Sequence, residues 1–107
     1  MTRHQHLSIA TTSTPDGVVL VLGGNLDVAT ADELEGAVRA HVREGAVILL
    51  DAGGLMTCDS TGLGAIVRAH RGAVAGGARI VVCDPRPYIA DLLAMTGVER
   101  IIEVRLQ

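Results

Sequence analysis

The densest run of chemically able side chains is Thr57-Cys58-Asp59-Ser60-Thr61-Gly62, with three hydroxyls, a thiol and a carboxylate in six residues. Asp59, Ser60 and Thr61 are all helix-capping types, and a helix start offers unpaired backbone N–H groups and the positive end of the helix dipole. Such a place receives an anion. A phosphate esterified to Ser60 would add about −1.5 to −2 charge where a helix tolerates it best. Plain capping accounts for the same spacing, and composition does not separate the two readings. A second polar run, Gly24-Asn25-Leu26-Asp27-Val28-Ala29-Thr30, lies some thirty residues earlier and could converge on the first. Asp27 and Asp59 would then form a carboxylate pair for acid–base work, but no third group accompanies them.

Other chemistries find less support. A nucleophilic role for Ser60 needs a base and a group to orient it. The only histidines are His4, His6, His41 and His70. His41 and His70 fall on apolar helix faces. No Gly-x-Ser-x-Gly elbow, phosphate-cradling Gly-rich loop ending in Lys-Ser/Thr, or Gly-x-Gly-x-x-Gly segment is present, so no catalytic residue and no cofactor is expected. Cys58 and Cys83 lack metal-ligand spacing and cannot make a disulfide framework, which favours reduced buried thiols. His4 and His6 could reach one metal but stand at a terminus prone to fraying, so no metal site is expected.

The 107 residues favour one domain, with a net charge of −3 and 49% hydrophobic content. All nine cations are Arg, against twelve Asp and Glu, and Tyr88 is the only aromatic residue. Neither phosphate neutralisation nor base stacking is available on that composition, which excludes direct nucleic-acid binding. No apolar run approaches the roughly 20 residues that span a bilayer, and Met1 to Gln5 leads into no signal-peptide core. A cytoplasmic protein without membrane insertion is expected.

The elements that must position these loops follow from periodicity. Leu7 to Thr12 alternates as a half-buried strand, and Pro15-Asp16-Gly17 supplies a hairpin turn. Val18 to Leu22 is a continuous apolar run suited to a strand covered on both faces, closed by Gly23-Gly24. From Thr30, the residues Leu34, Ala37, Val38, His41 and Val42 recur at helical spacing until Gly45. Thr30 with Glu33 has the capping-box pattern. Ala46 to Leu50 reads as an interior strand leading into a Gly53-Gly54 turn. Leu63, Ile66, Val67, His70 and Val74 predict a second helix, ended by Gly76-Gly77. Ala78 to Val82 reads as a strand, Pro87 to Met95 as a helix with Ile89, Leu92 and Leu93 inward, and Arg100 to Val104 as a last strand. The fold class is α/β in the order ββαβαβαβ, a mixed sheet with an antiparallel opening hairpin and parallel strands joined by helices. Its core covers about residues 7–105 of a single domain spanning 1–107. In such sheets, function gathers where the carboxyl ends of strands meet helix amino ends.

The apolar strand Val47-Ile48-Leu49-Leu50-Asp51, then Leu55, then Asp59-Ser60-Thr61-Gly62-Leu63-Gly64, resembles the signature of the STAS domain, specifically of bacterial anti-sigma-factor antagonists. Gly24-Asn25-Leu26-Asp27-x-x-Thr30 is similar to that family's Gly-Glu-Leu-Asp-x-x-Thr motif. The resemblance implies a STAS fold and no enzymatic activity of the chain's own. It implies that Ser60 is phosphorylated by a serine/threonine kinase that is also an anti-sigma factor. The unmodified protein would bind that kinase and release a sigma factor, the phosphorylated form would let go, and a phosphoserine phosphatase would reset it. By the same resemblance, Asn25, Asp27, Thr30, Asp59, Thr61 and Gly62 belong to the partner-binding region. Two residues depart from the pattern: Asn25 stands where Glu is usual, removing an interface charge, and Thr57 where an aromatic is usual, which would loosen packing under the loop. The resemblance leaves an alternative open, a STAS subunit of a stress-sensing scaffold or of a lipid or anion transport complex.

Overall fold

The computed structural model describes residues 6–106, so His4 and the Met1 to Gln5 start lie outside the described residues. The elements are β1 (Leu7–Thr14), β2 (Gly17–Leu26), α1 (Ala31–Arg39), β3 (Val47–Cys58), α2 (Ser60–Ala75), β4 (Arg79–Cys83), α3 (Pro87–Met95), a 3-10 turn (Val98–Arg100) and β5 (Glu103–Arg105). The strands lie side by side in chain order, with β1 antiparallel to β2 and β2 to β5 mutually parallel. The mixed α/β order expected from periodicity is the order found.

Because strand order never reverses, successive right-handed crossovers place α1, α2 and α3 on one face of the sheet. Burial follows that rule. Val18, Leu20, Leu22, Ile48, Leu50, Ile80 and Val82 join Leu34, Val38, Ile66, Ala69, Ile89 and Leu93 in one core. The alternate strand residues face the other way, where Val19 and Leu49 are half-buried and Val21 is 40% exposed. The expectation that Val18 to Leu22 is covered on both faces is therefore corrected. Val19, Leu49 and Val81 occupy one row across β2, β3 and β4 and shield one another laterally.

Both glycine pairs read as strand ends or turns sit inside strands. Gly23-Gly24 falls within β2 and Gly53-Gly54 within β3, where the pairing slips between Val21 and Gly23 and again between Gly24 and Asn25. Each slip gives β3 one residue more than β2, a bulge, and bulges select glycine for the same backbone reasons that turns do. A Cβ at Gly54 would lie 2.8 Å from the Leu22 carbonyl oxygen, and Gly24 has φ +88°. Both strands consequently run longer than their apolar stretches, to Leu26 and Cys58.

Three smaller corrections concern ends. Helix α1 stops at Arg39, so His41 and Val42 belong to the turn that follows. Thr30 makes no side-chain capping bond, and the capping box with Glu33 does not form. At the carboxyl end, Arg100 belongs to the 3-10 turn and β5 begins only at Glu103.

Candidate functional site

The long pairing of β2 with β3 brings the two polar loops together. Asn25 pairs with Thr57 and Leu26 with Cys58, the last residues of their strands. The chain then turns from Cys58 through Asp59 directly into α2. The Asp59 amide donates to the Leu26 carbonyl at 3.3 Å. Gly62, in the first turn of α2, sits so tightly on the end of β2 that a Cβ would lie 2.3 Å from the Leu26 oxygen. Gly62 is buried and seats α2 on the end of β2.

Within the first loop the side chains are turned inward. The Thr30 hydroxyl donates to the Asn25 carbonyl at 2.8 Å and accepts from the Asp27 amide at 3.0 Å. Thr30 is 0% exposed, the one buried polar side chain among the described residues. It closes the loop from beneath. Asp27 is half-buried, and its carboxylate accepts the Ala29 amide at 2.9 Å. Asp27 thus shapes the loop as well as charging it.

The second loop is arranged the other way. Asp59 caps α2, its carboxylate accepting the Gly62 amide at 2.8 Å while its carbonyl accepts that of Leu63 at 2.8 Å. Of the four N–H groups that a helix start leaves without intrahelical partners, those of Ser60 and Thr61 remain. Asp59, Ser60 and Thr61 are all exposed. The Ser60 hydroxyl enters none of the hydrogen bonds found among the described residues. An unengaged hydroxyl beside two unclaimed amides at a helix start can accept a phosphoryl group and hold it.

The two residues that depart from the family pattern meet each other. Thr57 donates its hydroxyl to the Asn25 side-chain carbonyl at 2.6 Å, across the paired strand ends. Beside them the amide of Cys58 donates to the Tyr88 hydroxyl at 2.9 Å, so a side chain from α3 supports the strand end where Thr57 supplies no ring. Sequence reasoning missed Tyr88 as a site residue, although its being the only aromatic side chain was a signal. The Cys58 thiol is buried, and burial, with the Asp59 charge adding to it, pushes its pKa up to about 11. It is protonated and unreactive near neutrality.

His70 is ten residues along α2 from Ser60, about 15 Å at helical rise, and burial followed by the Arg71 charge lowers its pKa. It cannot serve Ser60 as a base. Among the described residues no group of three or more His, Cys, Asp or Glu could hold a metal ion. No helix among them is long and apolar enough to cross a membrane. A cavity of about 110 Å³ between α1 and α2, lined by Val38, Ala69 and Ala73, includes no residue of either loop. The loops present Thr57, Asp59, Ser60 and Thr61 at an exposed end, suited to a macromolecular partner more than to a small molecule.

Residues 9–104 match the family model described as "Mlab, STAS domain". The chain belongs to the STAS-domain family. This STAS domain is 29% identical over 91 residues to an anti-sigma-B factor antagonist of Listeria monocytogenes serovar 1/2a, covering 84% of the chain and 80% of that protein. An anti-sigma factor antagonist from Mycobacterium paratuberculosis superposes with a TM-score of 0.78 at 18% identity, over 92% of this chain and 84% of that one. The Bacillus cell fate determinant SpoIIAA in its phosphorylated form gives a TM-score of 0.66 at 18% identity, over 92% and 91%. The two solved structures establish likeness of fold.

Proposed function

We propose that this STAS domain is an anti-sigma factor antagonist, binding a serine-kinase anti-sigma factor and released when that kinase phosphorylates Ser60. The observation that carries the reading is the Ser60 hydroxyl, exposed and unengaged at the start of α2 while the hydroxyls of Thr30 and Thr57 are both hydrogen-bonded. The name of the Listeria relative and the phosphorylated state of SpoIIAA support it.

The unmodified protein docks through Asn25, Asp27, Asp59 and Thr61, with Thr30 and Gly62 holding the two loops in register. In the transfer the Ser60 oxygen forms a bond to the γ-phosphorus of ATP. The bond from that phosphorus to the oxygen bridging the β-phosphate breaks, ADP leaves and the hydroxyl proton is lost. Within the protein the new charge is accommodated by the Ser60 and Thr61 amides and the helix dipole. Across the interface the same charge is repelled. A partner carboxylate about 4 Å away, at an effective dielectric near 20, costs roughly 4 kcal/mol, which weakens binding about a thousandfold. Desolvation of the phosphate acts in the same direction. A phosphoserine phosphatase restores the binding form.

The test has two stages. Immobilised Ser60→Ala protein should retain a kinase-type anti-sigma factor from extracts of the source cells. That kinase, given ATP and wild-type protein, should then place one phosphate on Ser60, read by phosphopeptide mapping. Phosphate on Thr57 or Thr61 contradicts the assignment. Recovery of scaffold or transport subunits in place of a kinase moves the domain to those complexes.

A further inference from the structure

Strand β3 outruns its neighbour on the β4 side. Pairing with β4 ends at Asp51 and Cys83, whereas β3 continues to Cys58, so its last seven residues have no strand beside them there. The one hydrogen bond that α3 makes to that stretch is the Tyr88 hydroxyl, which accepts the Cys58 amide at 2.9 Å across thirty residues of sequence. The tie lies two residues ahead of Ser60, and the only residue between is the helix cap Asp59.

Tyr88 is itself firmly placed. Pro85 and Pro87 flank Arg86, whose φ of −56° and ψ of 152° are the extended conformation that a following proline imposes. Pro87 then opens α3 at the position where its missing N–H costs nothing. Ile89, the next residue, is buried in the core and anchors the helix. Tyr88 is 50% exposed, so it is not held there by burial alone.

We infer that Tyr88 is a positioning residue of the Ser60 switch, its phenol hydroxyl fixing the end of β3 from which the acceptor departs. The inference rests on the reading of Ser60 as phosphoacceptor. Phosphoryl transfer depends on placing the attacking oxygen in line within a fraction of an ångström. A strand end with one free side and two bulges behind it does not supply that alone. Tyr88 couples it to α3.

Tyr88→Phe keeps the ring and removes the acceptor, and Tyr88→Trp offers a ring that can only donate. In both, hydrogen exchange at the Cys58 amide should accelerate about fivefold to tenfold, while the amides of Ile48, Leu50 and Ile80 exchange as in wild type. With the kinase recovered on Ser60→Ala protein and saturating ATP, kcat for Ser60 phosphorylation should fall by a similar factor and KM for this domain should stay within about twofold. Unchanged protection at Cys58 overturns the proposal. So does faster exchange throughout the core, which marks a merely structural residue, and so does local loosening with kcat intact. Should Ser60 of the wild type never be phosphorylated, the function proposed above fails and the role of Tyr88 with it, while the exchange measurement still reports whether the tie exists.

Discussion

At the start of α1 the hydroxyl of Thr30 is wholly buried and bonded to the Asn25 carbonyl and the Asp27 amide; at the start of α2 the hydroxyl of Ser60 is exposed and bonded to neither loop. Both helix starts lie at the end of β2, and both are written in the same capping residues, Asp and Thr at one, Asp, Ser and Thr at the other. The difference is what the surrounding backbone has already taken. Beneath α1 the loop closes on itself and needs the Thr30 hydroxyl as both donor and acceptor. Above α2 the cap is Asp59, which leaves Ser60 without a structural task. A side chain that folding does not use can be modified without cost to the fold, which is what the proposed Ser60 switch requires of a domain of only about 11 kDa.

Four substitutions and two control variants sharpen or break that contrast. Gly62→Ala should have the largest effect, about 3 kcal/mol of lost stability, because its Cβ meets the Leu26 backbone oxygen and α2 must lift from β2. Gly72→Ala, in the same helix with open space around the added carbon, should be neutral or slightly stabilising in the same denaturant titration. Thr30→Val comes next at about 2 kcal/mol, since it removes the buried hydroxyl that bonds both the Asp27 amide and the Asn25 carbonyl beneath the loop. It should also weaken kinase binding, as the Asp27 loop loses its closure. Asp59→Ala should cost about 1 kcal/mol through loss of the Gly62 cap, with Asp59→Asn recovering most of it. Ser60→Ala should be the smallest, within about 0.5 kcal/mol of wild type. A Ser60→Ala melt as damaging as that of Thr30→Val would erase the contrast, showing the serine to be a structural cap.

The parts of this account that were legible in the sequence are those set by neighbours a few residues apart. Helix α3 has the limits its periodicity and Pro87 predict, Pro15-Asp16-Gly17 turns the hairpin, and Asp59 caps α2. What was not legible depends on pairing between distant segments. Gly53-Gly54 looks like a turn because bulges, like turns, favour glycine, here for the close approach of Gly54 to the Leu22 oxygen, and only the register with β2 distinguishes them. The Thr30-x-x-Glu33 spacing is that of a capping box, yet the hydroxyl is claimed by Asn25, a competitor outside that four-residue pattern. Asn25 and Thr57 read as two independent departures until strand pairing, thirty-two residues apart, sets their side chains at 2.6 Å. Tyr88 reaches Cys58 across thirty residues from a helix, and being the only aromatic residue marks Tyr88 itself but not the loop it supports.

The most direct test is a calorimetric titration of the kinase-type partner with unmodified protein and with protein stoichiometrically phosphorylated at Ser60, both checked to melt at the same temperature. A phosphorylated form that binds about a thousandfold more weakly, with its fold intact, is the predicted result. Equal affinity of the two forms would contradict the switch at its centre.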